Sequence, residues 1–257
     1  ASFISSVLEA PVPEGVTPVS RKEPGEDRGK VRLAVIDAGH GGRSVGARSA
    51  RFGILEKNIT LSVAGRLKDI LGSRGIDAVL TRESDVYLPL DKRSDIANDS
   101  GADIFVSIHA NASPAGKASG FECYYPSEAV DNGARAKEAS GGASARPGGA
   151  ADKGAHGGID EASWDIVLSR ARRDSRELAG RICEAAVRNL GINNRGVKPG
   201  KFYVLKAARI PSVLVEVGFL TNRAEARNML NPSYLDRIAC TLADGICDFS
   251  GTSRENR

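Results

Sequence analysis

Between Val31 and Ser250 the apolar positions fall into two textures, short unbroken runs and longer stretches in which apolar residues recur at helical spacing. Val31–Asp37 is a short apolar run that ends in Gly39-His40-Gly41-Gly42, a buried strand leading into a glycine-rich loop. From Glu56 to Gly72, residues Ile59, Val63, Leu67, Ile70 and Leu71 repeat as one face of an amphipathic helix, with Gly75 soon after its end. Ala78–Thr81 then suits a strand, Leu90–Asn98 a helix, Asp103–Ile108 a strand and Gly120–Tyr125 another. Beyond Ser163, Ile166, Val167, Leu178, Ile182 and Val187 mark a long helix closing near Gly191. Phe202–Leu205 and Ser212–Val217 read as strands, and Leu235, Ile238, Leu242 and Ile246 as a terminal helix. Alternating strands and helices predict an α/β layer fold with a central sheet.

Two regions lack such periodicity. Residues 1–30 carry four of the eleven prolines and a dense charged run from Arg21 to Arg28, which predicts a tail or linker ahead of one domain over 31–250; residues 251–257 form a second short tail. Gly133–Gly158 contains eight glycines and eight alanines and almost no large apolar side chain, too little to hold itself folded. It is read as the middle of an insertion spanning about 126–163, with a short helix at its Ala134–Ala139 edge and with His156 as an exposed loop residue.

Composition narrows the picture only slightly. The net charge of +4 is a mild basic excess that identifies no partner, and no apolar run reaches the roughly 18 residues needed to cross a bilayer. The first ten residues lack the basic start and apolar middle of a signal peptide, so a targeting signal is not in the chain as given. Cys123, Cys183, Cys240 and Cys247 make no Cys-x-x-Cys pair, and Cys240 and Cys247 lie too far apart on one helix for a disulfide; buried free thiols are expected.

The candidate chemistry lies where strands end. Of three histidines, His40 and His109 sit at the downstream ends of apolar runs, where α/β sheets collect ligands. Glu56 opens the first long helix, and two imidazoles with a carboxylate form a set suited to one catalytic zinc ion with a position left for water. Taken alone, each is as readily a structural histidine or an acid at a helix start. Glu216 interrupts Val213-Leu214-Val215-Glu216-Val217, where a buried carboxylate must be functional or paired, with Arg82 or Arg209 as partners. Each imidazole also needs an acceptor behind it, for which Asp37 or a carbonyl would serve. Asn111, two residues past His109, points to the same side if the strand persists and is a candidate substrate contact.

The motifs Val35–Gly42, Glu56-Lys57-Asn58, Ser107–Asn111 and Pro211–Asn222, in this order, resemble those of the zinc-dependent N-acetylmuramoyl-L-alanine amidases of the type 3 family, from about Val31 to Phe249. The resemblance implies a mixed, largely parallel sheet flanked by helices on both faces. It also implies His40, Glu56 and His109 as Zn2+ ligands, Glu216 as the catalytic glutamate, peptidoglycan as substrate, and an extracytoplasmic, periplasmic setting in bacterial cell-wall remodelling or daughter-cell separation. Members acting in division carry a helical insertion whose carboxylate covers the zinc until an activator protein displaces it. Here Glu138 or Glu161 would play that part, unless the Gly/Ala-rich stretch is simply a loose loop. Two rivals are a zinc carboxypeptidase, disfavoured by the 15 residues between His40 and Glu56, and a silent wall-binding module, disfavoured by the presence of all four groups. Nucleic acid is not an expected partner.

Overall fold

The computed structural model describes residues 30–127 and 161–251, with only the backbone described for 161–165. Its elements run β1 (Leu33–Ala38), β2 (Arg48–Ser49), β3 (Ile54–Leu55), α1 (Glu56–Ser73), β4 (Asp77–Leu80), α2 (Leu90–Asp99), β5 (Ile104–Asn111) and β6 (Phe121–Pro126). They continue with α3 (Glu161–Leu190), β7 (Asn194–Gly200), α4 (Tyr203–Ala207), β8 (Ser212–Phe219), α5 (Arg223–Asn228) and α6 (Pro232–Phe249). Six strands form one sheet in the order β4-β1-β5-β8-β6-β7, and β2 pairs with β3 outside it. The sheet is parallel from β4 through β8; β6 runs antiparallel to β8, and β7 runs parallel to β6.

Alternation along the strands sends successive side chains to opposite faces, and both faces are covered. Ala34, Ile36, Ile104, Val106, Ile108, Val213 and Val215 join the larger apolar cluster with residues of α1, α3 and α6. Val35, Phe105 and Leu214 join a smaller one with Val204 and Leu205 of α4 and Ala97 of α2. The odd positions of β1 and β5 and the even positions of β6 and β8 therefore belong to the smaller face, which carries Asp37, Ser107, His109, Glu122 and Glu216. Because β1, β5 and β8 are parallel, their C-terminal ends converge at one edge of that face, where the loops are free to carry chemistry.

The α/β architecture agrees with the sequence expectation, and three local readings change. Phe202–Leu205 is a helical turn rather than a strand, Val204 and Leu205 packing down onto the smaller cluster. Asn194–Gly200, unread in the sequence, forms edge strand β7. Cys123, Cys183 and Cys247 are buried as free thiols, but Cys240 is exposed on the outer side of α6. The tail 1–29, the Ala134–Ala139 helix, Glu138, His156 and residues 252–257 lie outside the described residues.

Candidate metal centre

The loop after β1 is held in a conformation that few side chains adopt. His40 has φ of 62°, and Gly41 and Gly42 follow at 130° and 53°. Such a backbone persists only when its surroundings fix it. Arg93 of α2 donates from Nη2 to the His40 carbonyl at 2.8 Å and from Nη1 to that of Ala38 at 2.9 Å. Arg82 donates to the carbonyls of Ala38 and Gly39 at 2.8 and 3.0 Å, and Lys57 Nζ to that of Gly42 at 3.0 Å. Burial, reinforced by repulsion from Arg93, draws the Arg82 pKa down to about 10, so it stays charged at neutral pH. A Cβ at Gly39 would stand 2.5 Å from the His109 ring, so only glycine lets the two motifs approach.

Glu56 is the junction. Its Oε1 lies 2.9 Å from His109 Nδ1 and accepts from the Ala110 N–H at 3.0 Å; its Oε2 lies 3.3 Å from His40 Nε2 and accepts from the Ala47 N–H at 2.6 Å. Burial works to raise its pKa, but the two imidazoles outweigh it and hold the carboxyl far below the usual range. His40 Nδ1 is 2.9 Å from Ser44 Oγ, so the hydroxyl, not Asp37, stands behind this imidazole. Asp37 accepts from Thr81 and Arg93 on Oδ1 and from Ser107 on Oδ2, at 2.6 to 2.7 Å. Its role is to seat Arg93, which in turn seats the His40 backbone.

His40, Glu56 and His109 each present a ligand atom within 4.8 Å of the others. The two imidazoles meet different oxygens of Glu56, His109 Nδ1 on Oε1 at 2.9 Å and His40 Nε2 on Oε2 at 3.3 Å. Two imidazole nitrogens and a carboxylate gathered this closely, with the carboxylate oriented by backbone N–H groups, are a donor set suited to zinc.

Glu216 stands directly beside His109 on the neighbouring parallel strand, on the same face, and is the one position of β8 that is not fully buried. Arg82, one of the partners the sequence offered it, spends its donors on Ala38, Gly39, Lys57, Thr60 and Ser84. Asn111 donates to Glu122 Oε1 at 2.8 Å, so its amide steadies a buried acid that the sequence reading passed over. The backbone of Glu161 opens α3, whose buried residues pack on the larger face, the other side of the sheet from His109 and Glu216. A pocket of about 80 Å³ opens beside the two imidazoles, lined on its far side by Tyr87, Leu88, Leu90 and Val204. Arg43 lies 4.1 Å over the Tyr87 ring at its rim.

An α/β sheet with a two-histidine, one-carboxylate cluster at its strand ends, and an acid alongside, has the form of a metallohydrolase. Residues 34–248 match the N-acetylmuramoyl-L-alanine amidase family, and the chain belongs to it. It is 34% identical over 224 residues to N-acetylmuramoyl-L-alanine amidase AmiA of Escherichia coli K12, covering 86% of this chain and 77% of that one. The crystal structure of an N-acetylmuramoyl-L-alanine amidase from Clostridium difficile 630 superposes with a TM-score of 0.67 at 27% identity, over 87% of this chain and 99% of that one. The CwlD amidase of Clostridioides difficile, solved in complex with the GerS lipoprotein, superposes with a TM-score of 0.67 at 29% identity, over 86% and 100% of the two chains.

Proposed function

We propose that the protein is a zinc-dependent peptidoglycan amidase that hydrolyses the bond between the lactyl carbonyl of N-acetylmuramic acid and the amine of L-alanine. The observation that carries this is the register of Glu216 against His109, which puts a carboxylate next to the His40–Glu56–His109 cluster on the same face of the sheet. When bound, zinc lowers the pKa of water and polarises the scissile carbonyl. Glu216 takes the proton from the attacking water and returns it to the departing amine nitrogen, base in the first half and acid in the second. Arg93 and Ser44 hold His40, and the Ala47 and Ala110 N–H groups hold Glu56, so that these two ligands need not reorganise during turnover.

Digestion of purified peptidoglycan, with metal content measured in parallel, tests this reading. One zinc per chain and release of free stem peptides from intact glycan are expected. Glu216→Gln should lower turnover by about 10²–10⁴-fold while keeping its zinc. Glycan cleavage, or peptide trimming without loss of the lactyl bond, would refute it.

Such a substrate places the protein outside the cytoplasm, in wall remodelling or daughter-cell separation. No helix among the described residues is long and apolar enough to cross a membrane. The insertion extends the proposal: Glu138 occupies the open side of the zinc at rest, and an activator protein withdraws it, whereas Glu161, whose backbone opens α3 on the other face of the sheet, is set aside for that part. Deleting Gly133–Gly158 should then raise basal hydrolysis; unchanged activity removes the plug from the account.

A further inference from the structure

Beyond Glu216 the same row of the sheet continues into a second charged cluster. Glu122 of β6 faces Glu216 across the antiparallel pair, so His109, Glu216 and Glu122 line up on three adjacent strands with their side chains on one face. Glu122 is 2% exposed, yet its carboxylate is fully engaged. Oε1 accepts from Asn111 at 2.8 Å and Tyr124 at 3.0 Å; Oε2 accepts from Arg195 Nε at 2.9 Å and Lys198 Nζ at 2.5 Å.

The two cations reach Glu122 through an irregularity in β7. Phe121 pairs with Asn194 but Glu122 pairs with Gly196, so Arg195 is an extra residue, a bulge next to Gly196 with φ of 84°. Without it Lys198 would sit opposite Tyr125, on the other face; with it Lys198 sits opposite Tyr124, on the face of Glu122 and Glu216.

Arg195 and Lys198 share Oε2 of Glu122, with Glu216 the next acid in the row, and their side chains are 33% and 38% exposed, each with N–H groups beyond the one given to Glu122. Arg195 is further aligned by the Phe219 ring 5.0 Å beneath its guanidinium. The buried acid one strand beyond Glu216 thus draws in a pair of oriented donors from β7, the second strand beyond it, so their heads lie between one and two strand spacings, about 5–10 Å, from Glu216 along the row. An extended peptide advances roughly 3.3–3.6 Å per residue, so this span takes in the second residue of a chain whose first amine is the leaving group.

Resting on the amidase reading above, we propose that Arg195 and Lys198 form a subsite for a carboxylate carried by the second residue of the departing peptide. The subsite fixes the direction in which substrate lies: peptide over β6 and β7, acyl side over the pocket near Tyr87. Glu122, Asn111 and Tyr124 are positioning residues that hold the two cations.

The test compares two N-acetylmuramoyl peptides that differ only in whether the α-carboxyl of the second residue is free or amidated. Dissociation constants are measured on zinc-loaded Glu216→Gln protein, and kcat/KM on the wild type. A charge-assisted pair predicts about tenfold tighter binding of the free acid, with the difference in KM rather than kcat. Lys198→Met in the same background should cut the ratio to about twofold and Lys198→Arg should restore it; Arg195→Gln provides a second variant if Lys198→Met misfolds. A wild-type ratio near one, or a full ratio in Lys198→Met, overturns the subsite. Equal binding with efficient cleavage of both peptides sinks the subsite and leaves the amidase reading intact. Tenfold discrimination without cleavage does the reverse.

Discussion

Arg93 joins three parts of the centre with one guanidinium: the Asp37 carboxylate at 2.7 Å, the Ala38 carbonyl and the carbonyl of the strained His40. Removing one partner of a buried ion pair leaves the other uncompensated, so Arg93→Met should lose about 3–5 kcal/mol of unfolding free energy, read by urea denaturation. Asp37 and Glu122 make a pH prediction. For both, burial works to raise the pKa, but Arg93 at Asp37, and Lys198 and Arg195 at Glu122, prevail and lower it. A carboxyl whose folded pKa is depressed stabilises the fold above its unfolded value, about 4, and the contribution is lost as pH falls through the folded one. Thermal stability should therefore decline below about pH 4, and Asp37→Asn should flatten that decline. At this scale the candidate centre was legible because His40 and His109 are rare types at the ends of apolar runs and Glu216 is a costly one inside such a run, whereas Glu56 stands out only as an acid at a helix start. Glu122 carries the same signal, an acid inside Phe121–Tyr125, and was missed; Ser44 and Arg93 sit in polar stretches where nothing sets them apart.

Helices and most strands were readable because their periodicity spans many residues. Val204 and Leu205 were misread because a short apolar run has no period to choose between strand and turn. β7, Asn-Arg-Gly-Val-Lys-Pro-Gly, looks like loop; only its place at the sheet edge lets it keep Pro199 and a bulge. The terminal helix α6 begins with Asn231, whose side chain accepts from the Ser233 N–H at 3.0 Å. Asn231→Ala should lower stability by about 1 kcal/mol. Its outward Cys240 should be the thiol that iodoacetamide labels in folded protein, while Cys123, Cys183 and Cys247 react after unfolding; equal native labelling of all four would contradict the packing.

For the molecule as a whole, the three proposed ligands come from the end of β5, the start of α1 and the loop after β1, so an ion held by them would tie together elements distant in sequence. Chelation should lower the melting temperature; zinc at a hundred times its dissociation constant should restore about 2.7 kcal/mol. An unchanged calorimetric transition would place the metal elsewhere. The directions of β6 and α3 carry a last implication. β6 starts beside Glu216 and runs away from it, and α3, preceding β7, returns towards that end, so the stretch between them is rooted at the pole opposite the reaction. With 30 residues α3 is about 45 Å long, well beyond the neighbouring strands. A carboxylate carried on that stretch must therefore travel back along the whole of β6, about 20 Å, before it can meet the ion, so the length of the stretch sets whether it can act there at all.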